Sequence, residues 1–240
     1  MRIEVLTDEA SAALAAARWL ADEARAAVAA RGRFTLAVSG GRTPWSMLRA
    51  LSTEEVPWSA VHLLQVDERV APAGSPDRNF THVAESLLAR VKLPPGNVHA
   101  MPVEEADLGR AAAAYARELA VATGGTGALD VVHLGLGLDG HTASLPPGDP
   151  DPERGGGDVV ITGPYAGWRR MTLTRGVIDR ARRILWLVTG AGKAPMLARL
   201  AARDPTIPAG RVDDARAIAF VDAAAASLVP RRPPQEGTWP

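Results

Sequence analysis

Asp139 and His141 stand two residues apart in "HLGLGLDGHTASLPPG", residues 133 to 148, directly after the apolar run "LDVV". A histidine is suited to proton transfer near neutral pH, and an aspartate beside it can orient it or stabilise its charged form. The glycines here also raise a competing reading. Gly135, Gly137 and Gly140 fall on the G-x-G-x-x-G spacing of a dinucleotide-binding turn. That reading requires a helix next and an acidic residue about 20 positions on, but "PPGDPDPE" follows instead. The loop therefore reads as one that presents a reacting group.

Three other segments carry polar groups of matching character. "SGGRTP" (39–44) joins an apolar run to a helix start through paired glycines, so successive backbone N–H groups backed by the helix dipole favour an anion such as phosphate. Ser39 and Thr43 add hydroxyls and Arg42 adds charge; the plain alternative is a tight turn with Thr43 capping the helix. It is no P-loop, since no Lys-Ser/Thr pair follows. "DER" (67–69) sets Asp67 at the end of an apolar strand, where a carboxylate is costly unless paired or working as an acid or base. Arg69, on the same side of an extended segment, is its expected partner. "TGAGK" (189–193) puts Lys193 at a helix start, where its charge is unfavourable unless an anion intervenes. Of Arg169 and Arg170, one is expected to be solvated and Arg170 to serve the site. His62, His82, His99 and His133 are assigned to structure. Ser144 is no nucleophile elbow, because "TASLP" lacks the G-x-S-x-G pattern.

These segments need a frame, and the chain supplies one by alternation. A strand at Ile3–Leu6 precedes a helix over 8–31, with Leu14, Trp19, Leu20 and Val28 at helical spacing and Gly32 at its C-cap. Strands follow at "FTLAVSG", "VHLLQVDE", "LDVVHLGLG", "RILWLVTG" and "AIAFVD", with short extended pieces at "NVHAM" and "MTLT". Helices are expected at "TPWSMLRAL" (Thr43 as N-cap, Pro44 first), "FTHVAESLLARV", "DLGRAAAAYARELAVA", "KAPMLARLAAR" and an Ala-rich segment near the end. Apolar strands alternating with helices indicate a mainly parallel sheet covered on both faces, in one α/β domain over 1–240. Residues 146–158 are the most loop-like, the glycines at 155–157 reading as an excursion, and a Pro-rich tail begins near 229. Ligands in such sheets bind beyond the carboxyl ends of the strands, where all four polar segments fall.

The bulk numbers exclude several classes. Lys+Arg and Asp+Glu are both 27 in 240 residues, so no basic excess points to a nucleic-acid partner. The absence of cysteine removes disulfides, thiolate chemistry and cysteine-bound zinc. Acidic residues interrupt any N-terminal leader pattern and the apolar runs are shorter than a membrane span, so a cytoplasmic location without membrane contact is expected. The chain is expected to be a monomer or weak homo-oligomer.

Taken in order, "SGGRTP", "VDERVAPAGSPDRNF", "LGLGLDGHTASLPPG", "RMTLT" and "VTGAGKAPML" resemble the 6-phosphogluconolactonases over roughly residues 5 to 225, "DGHTASL" being the most specific segment. The resemblance implies hydrolysis of 6-phosphoglucono-1,5-lactone in the oxidative pentose phosphate pathway, without metal or cofactor. It also implies a Rossmann-like parallel sheet with a small additional element. It places the general acid/base on His141 with Asp139 beside it, and the strand-end acid on Asp67. By resemblance, substrate and phosphate contacts fall on Gly40, Gly41, Thr43, Asn79, Arg170 and Lys193, to which the loop chemistry read above adds Ser39 and Arg42, with Arg69 beside Asp67. Departures from the family pattern are Arg78 for a serine, Arg42 for a serine, Pro146 for a phenylalanine, and "TRGVI" for a Leu-Pro version. Two alternatives are weighed. A glucosamine-6-phosphate isomerase/deaminase would use Asp67 as base, but its Phe-Asn-Glu-Pro-like run after DGH is absent. A non-catalytic sugar-phosphate sensor should carry a DNA-binding module, and residues 1–33 hold one strand and one helix.

Overall fold

The structure is a computed structural model that describes residues 1–148 and 157–230. The glycines at 155 and 156 and the tail from 231 onward lie outside the described residues.

Seven parallel strands form the central sheet: β1 (Arg2–Leu6), β2 (Phe34–Val38), β3 (Val61–Gln65), β5 (Val98–His99), β6 (Val131–Leu134), β9 (Arg183–Val188) and β10 (Ala217–Asp222). Their order is β1-β10-β9-β6-β2-β3-β5. The strands read as unbroken apolar runs because both faces are covered. Leu36, Leu63, Val131 and Leu185 face one core, shared with helices α1 (Glu9–Arg31) and α2 (Arg42–Leu51). Ala37, Leu64, Val132 and Trp186 face the other, shared with α4 (Leu108–Ala122), α5 (Arg175–Arg180) and α6 (Ala194–Ala201). This is the expected α/β sheet with helices on both faces.

Within α1 the inward stripe is alanine. Ala12, Ala13, Ala16, Ala17, Ala21, Ala24 and Ala27 are buried with Leu20, whereas Leu14 is exposed. Small side chains let this helix lie close to the sheet, and of the larger residues at helical spacing Leu20, Trp19 and Val28 do face that core, Leu14 being the exception. Asp8 caps the start by accepting from Ser11 N, and Gly32, as expected, closes the end in the left-handed region.

The additional element is a three-stranded antiparallel sheet, order β4-β8-β7, made from β4 (Asp67–Arg69), β7 (Val159–Tyr165) and β8 (Trp168–Leu173). It corrects two expectations. The run "VHLLQVDE" is not one strand: Val66 N bonds to Val38 O in the parallel sheet while Val66 O accepts from Leu173 N in the small one. The chain thus changes sheets at Val66, and Asp67 begins a new strand. Likewise β8 takes in Arg170, expected just ahead of a strand, and pairs with β7, which was not anticipated. Glu68, fully buried, pins this corner. Its carboxylate accepts from Gln65 Nε2, from the backbone N–H groups of Arg69, Asn79 and Phe80, and lies 3.1 Å from Arg78 Nε. Arg78 thereby holds the start of α3 (Asn79–Val83) against β4. The Ala-rich segment near the end is only a 3-10 turn, Ala225–Leu228. Among the described residues no helix is long and apolar enough to cross a membrane.

Candidate active site

A cleft of about 190 Å³ opens beyond the carboxyl ends of β2 and β6, walled on one side by the small sheet. Ser39, Gly40, Gly41, Asp67, Arg69, Asn79, His141, Arg170 and Lys193 line it, together with the Gly135–Gly137 backbone. All four polar segments named from the sequence thus meet in one place. Three candidates do not line it: Asp139 stands behind His141, and Arg42 and Thr43 lie away from the cleft. Arg42 is exposed on the first turn of α2, and Thr43 turns away to Glu9 and Thr189, its Oγ1 lying 3.1 Å and 2.8 Å from their oxygens. Thr43 is also not the expected N-cap. Gly41 occupies that position with no side-chain cap, and Pro44 sits third in the helix. The helix start is therefore open for an outside acceptor.

His141 is held by its own loop. Asp139 Oδ1 lies 2.6 Å from His141 Nδ1 and accepts the His141 backbone N–H at 3.1 Å. Nε2 has no protein partner among the described residues. This geometry is built on glycine: a Cβ on Gly137 would come within 2.0 Å of His141 Nδ1. Burial opposes the charge on Asp139, but hydrogen bonds from Tyr165 and His141 outweigh it and hold the carboxyl down to about 2. Asp139 is therefore an anion at neutral pH, placed to fix the imidazole's tautomer.

Asp67 sits deeper. Its Oδ2 accepts from Ser144 Oγ at 2.6 Å, and Arg170 Nη1 lies 3.8 Å away. Asn79 Nδ2 donates to Asp67 O at 3.0 Å. The expected Asp67–Arg69 pair does not form as a contact, because Arg69 Nη1 instead donates to Asp77 O. Antiparallel pairing sets Arg69 opposite Arg170 and Asp67 opposite Thr172, which brings Arg170 diagonally to Asp67. Burial pushes the Asp67 carboxyl up, only partly offset by Ser144 and Arg170. Burial likewise lowers the Arg170 value. Arg169 is exposed, so it is the solvated member of its pair.

On the opposite wall, Lys193 ends a 3-10 turn ahead of α6 and donates from Nζ to Leu136 O at 2.6 Å. Burial lowers its pKa, partly offset by Asp139. Asn79 Oδ1 is buried with no hydrogen-bond partner among the described residues, and a Cβ on Gly40 would fall 1.9 Å from it. An orphaned acceptor facing a cleft calls for a ligand donor. Ser39 Oγ is already committed to His133 O, and Ser39 N points to His133 Nδ1.

Sequence reasoning missed Ser144 and Tyr165. Ser144 was weighed only as a nucleophile; its role as the buried partner of Asp67 has no sequence signal. Tyr165 donates from its hydroxyl to Asp139 Oδ2 at 2.6 Å. A hint was present, since "VVITGPYAGWRRMTLT" alternates around an Ala-Gly pair that suits a hairpin.

The family model described as "Glucosamine-6-phosphate isomerases/6-phosphogluconolactonase" matches residues 7–220. A 6-phosphogluconolactonase of Mycobacterium tuberculosis is 36% identical over 242 residues, covering 95% of this chain and 98% of that one. One from Synechocystis is 40% identical over 179 residues, covering 72% and 74%. Among solved structures, a 6-phosphogluconolactonase from Thermotoga maritima superposes with a TM-score of 0.81 at 27% identity, covering 92% of this chain and 98% of that one. A monomeric glucosamine-6-phosphate deaminase also reaches 0.81, at 19% identity, which speaks to the shared fold alone.

Proposed function

Since this chain belongs to the glucosamine-6-phosphate isomerase/6-phosphogluconolactonase family, we propose that its cleft hydrolyses 6-phosphoglucono-1,5-lactone to 6-phosphogluconate, with His141 as the general acid/base. The reaction is the lactone-opening step of the oxidative pentose phosphate pathway. The observation that carries the assignment of His141 is its geometry: Nδ1 is engaged by ionised Asp139 while Nε2 is left free beside the cleft. In the neutral ring the proton then sits on Nδ1, and the bare Nε2 lone pair takes a proton from water attacking C1. The same nitrogen returns that proton to the departing ring oxygen. A δ-lactone is an activated ester, so one positioned base, typically worth ~10²–10⁴-fold, together with orientation of the substrate accounts for useful catalysis.

The anionic end of the substrate is assigned to the uncapped start of α2 at Gly40–Gly41 and to the charges of Arg69, Arg170 and Lys193, with Arg42 adding longer-range attraction. Asn79 Oδ1 accepts a sugar hydroxyl. Asp67 holds Arg170 and the Asn79 segment in place, since Ser144 and Arg170 already occupy its carboxylate. The cytoplasmic location expected from the sequence goes with this reading.

Lactone hydrolysis measured above the spontaneous rate tests it. His141→Ala is expected to lower kcat by about 10² or more, whereas Lys193→Ala should act mainly by raising KM. Wild-type activity in His141→Ala would sink the mechanism. Ammonia release from glucosamine 6-phosphate would transfer the chain to the deaminase reading, which the missing Asn-Glu-Pro run disfavours.

A further inference from the structure

The β7–β8 hairpin is shaped to deliver one side chain to the catalytic pair. Tyr165 pairs with Trp168 across a two-residue turn, Ala166-Gly167, in which both residues have positive φ (49° and 84°), the geometry favoured in tight hairpins. The register between the two strands breaks between Thr162 and Tyr165. Irregularities of this kind re-aim side chains near functional sites. Here the redirected residue is Tyr165. Its hydroxyl donates to Asp139 Oδ2 at 2.6 Å and lies 3.1 Å from His141 Nδ1, and its ring meets the imidazole edge-on with centroids 5.3 Å apart. Arg170 lies over the same ring, 5.5 Å from its centroid.

We propose that Tyr165 is a positioning residue for the lactonase reaction, clamping Asp139 so that His141 is held in the base tautomer; this rests on His141 being the base. With Oδ1 taken by His141 and Oδ2 by Tyr165, the Asp139 carboxylate has no free rotation, although it lies on a glycine-rich loop and its side chain is 39% exposed. The tyrosine proton is committed to Asp139, so its oxygen faces Nδ1 only as an acceptor. Every contact at Nδ1 then requires a proton on that nitrogen, which leaves Nε2 bare. Tyr165 thus ties the small sheet to the catalytic loop.

The charged and titratable groups around His141 come from three elements besides its own loop: Tyr165 and Arg170 from the hairpin, Lys193 from the turn before α6, and Asp67 with Arg69 from β4. Of these, only the Tyr165 hydroxyl shares the Asp139 charge with the imidazole through a direct hydrogen bond. Removing the hydroxyl leaves that charge undivided, which favours the imidazolium. The acid limb of the rate profile then moves to higher pH.

The test is Tyr165→Phe, which keeps the ring and its packing, assayed for lactone hydrolysis from pH 5 to 8 beside wild type and His141→Ala. The expected result is a fall in kcat of about tenfold, KM within about twofold, and an acid limb raised by about half a unit. Rates and profile matching wild type, with His141→Ala inactive, would overturn the Tyr165 proposal and leave His141 as base. A lower kcat with an unmoved limb would overturn it as well, by reducing Tyr165 to packing. An active His141→Ala would remove the premise for both.

Discussion

Two clefts of about 190 Å³ each lie at opposite ends of the central sheet, and each contains a nearly buried aspartate. At the carboxyl ends of the strands stands Asp67, and at the amino ends of β2, β6 and β9 stands Asp130. Concavity and size do not separate them; the state of their polar groups does. Asp130 is saturated. Its Oδ2 accepts from Thr35 N and Thr35 Oγ1, and its Oδ1 pairs with Arg31 at 2.6 Å and Arg182 at 3.4 Å. It stitches β2 to β6, and the arrangement is complete as it stands. Around Asp67, by contrast, a carboxyl carries a raised pKa and a helix start is uncapped, while among the described residues an asparagine acceptor and a histidine nitrogen have no partner. Unsatisfied groups concentrated in one cleft are what separate a site built for a ligand from one built for stability.

That contrast predicts opposite responses to the same isosteric change. Asp67→Asn should lower kcat/KM by about 10- to 100-fold, because Arg170 loses its counter-charge while the backbone anchor of Asn79 stays in place. Near neutral pH it should also relieve the penalty of keeping a buried carboxylate ionised. The sign follows from the raised pKa. Below the ordinary value of 3.8 the carboxyl is neutral in both folded and unfolded chains. As pH rises through the window up to the folded-state value, the unfolded chain ionises first and stability is lost; above that window the full penalty applies. The Tm difference between Asp67→Asn and wild type should therefore be more positive at pH 7 than at pH 3.5. An equal difference at both would break the contrast.

Asp130→Asn should do the reverse. It removes one charge from a saturated cluster and turns an amide donor toward a donor, so unfolding free energy should fall by about 1–3 kcal/mol with kcat unchanged within about twofold. Denaturant midpoints together with lactone kinetics check this, and a loss of activity in the folded variant would show that the two ends are coupled. The smallest effect is expected for Arg182→Ala. Its side chain is 48% exposed and its 3.4 Å contact duplicates that of Arg31, so a change under about 0.5 kcal/mol is expected.

Much of this was legible along the chain. Strand-length apolar runs ending in Ser39, Asp67, Gly135 and Thr189 announced a parallel sheet, and the rule for such sheets assembled the site from segments far apart in sequence. The illegible parts share one cause, dependence on partners distant in the chain. Thr43 has the composition of an N-cap, yet Glu9 and Thr189 outcompete its own helix. Asp67 and Arg69 have the spacing of a pair, yet β8 supplies Arg170 instead. "VHLLQVDE" has the periodicity of one strand, yet two sheets divide it at Val66. Arg78, a departure from the family pattern at the level of sequence, is explained by buried Glu68, with which it pairs.

By itself, the sequence determined the doubly covered sheet, the four loops at its carboxyl edge and the identity of the Asp139–His141 pair. Periodicity and adjacent residues suffice for those, because they rest on local backbone geometry and on burial of apolar faces. Only the tertiary structure decided which charges are satisfied. Hydrogen-bond saturation depends on where every competing donor and acceptor lies, so Asp67 with Ser144, Tyr165 on Asp139 and the quiet completeness of Asp130 emerged only when the two sheets were brought together.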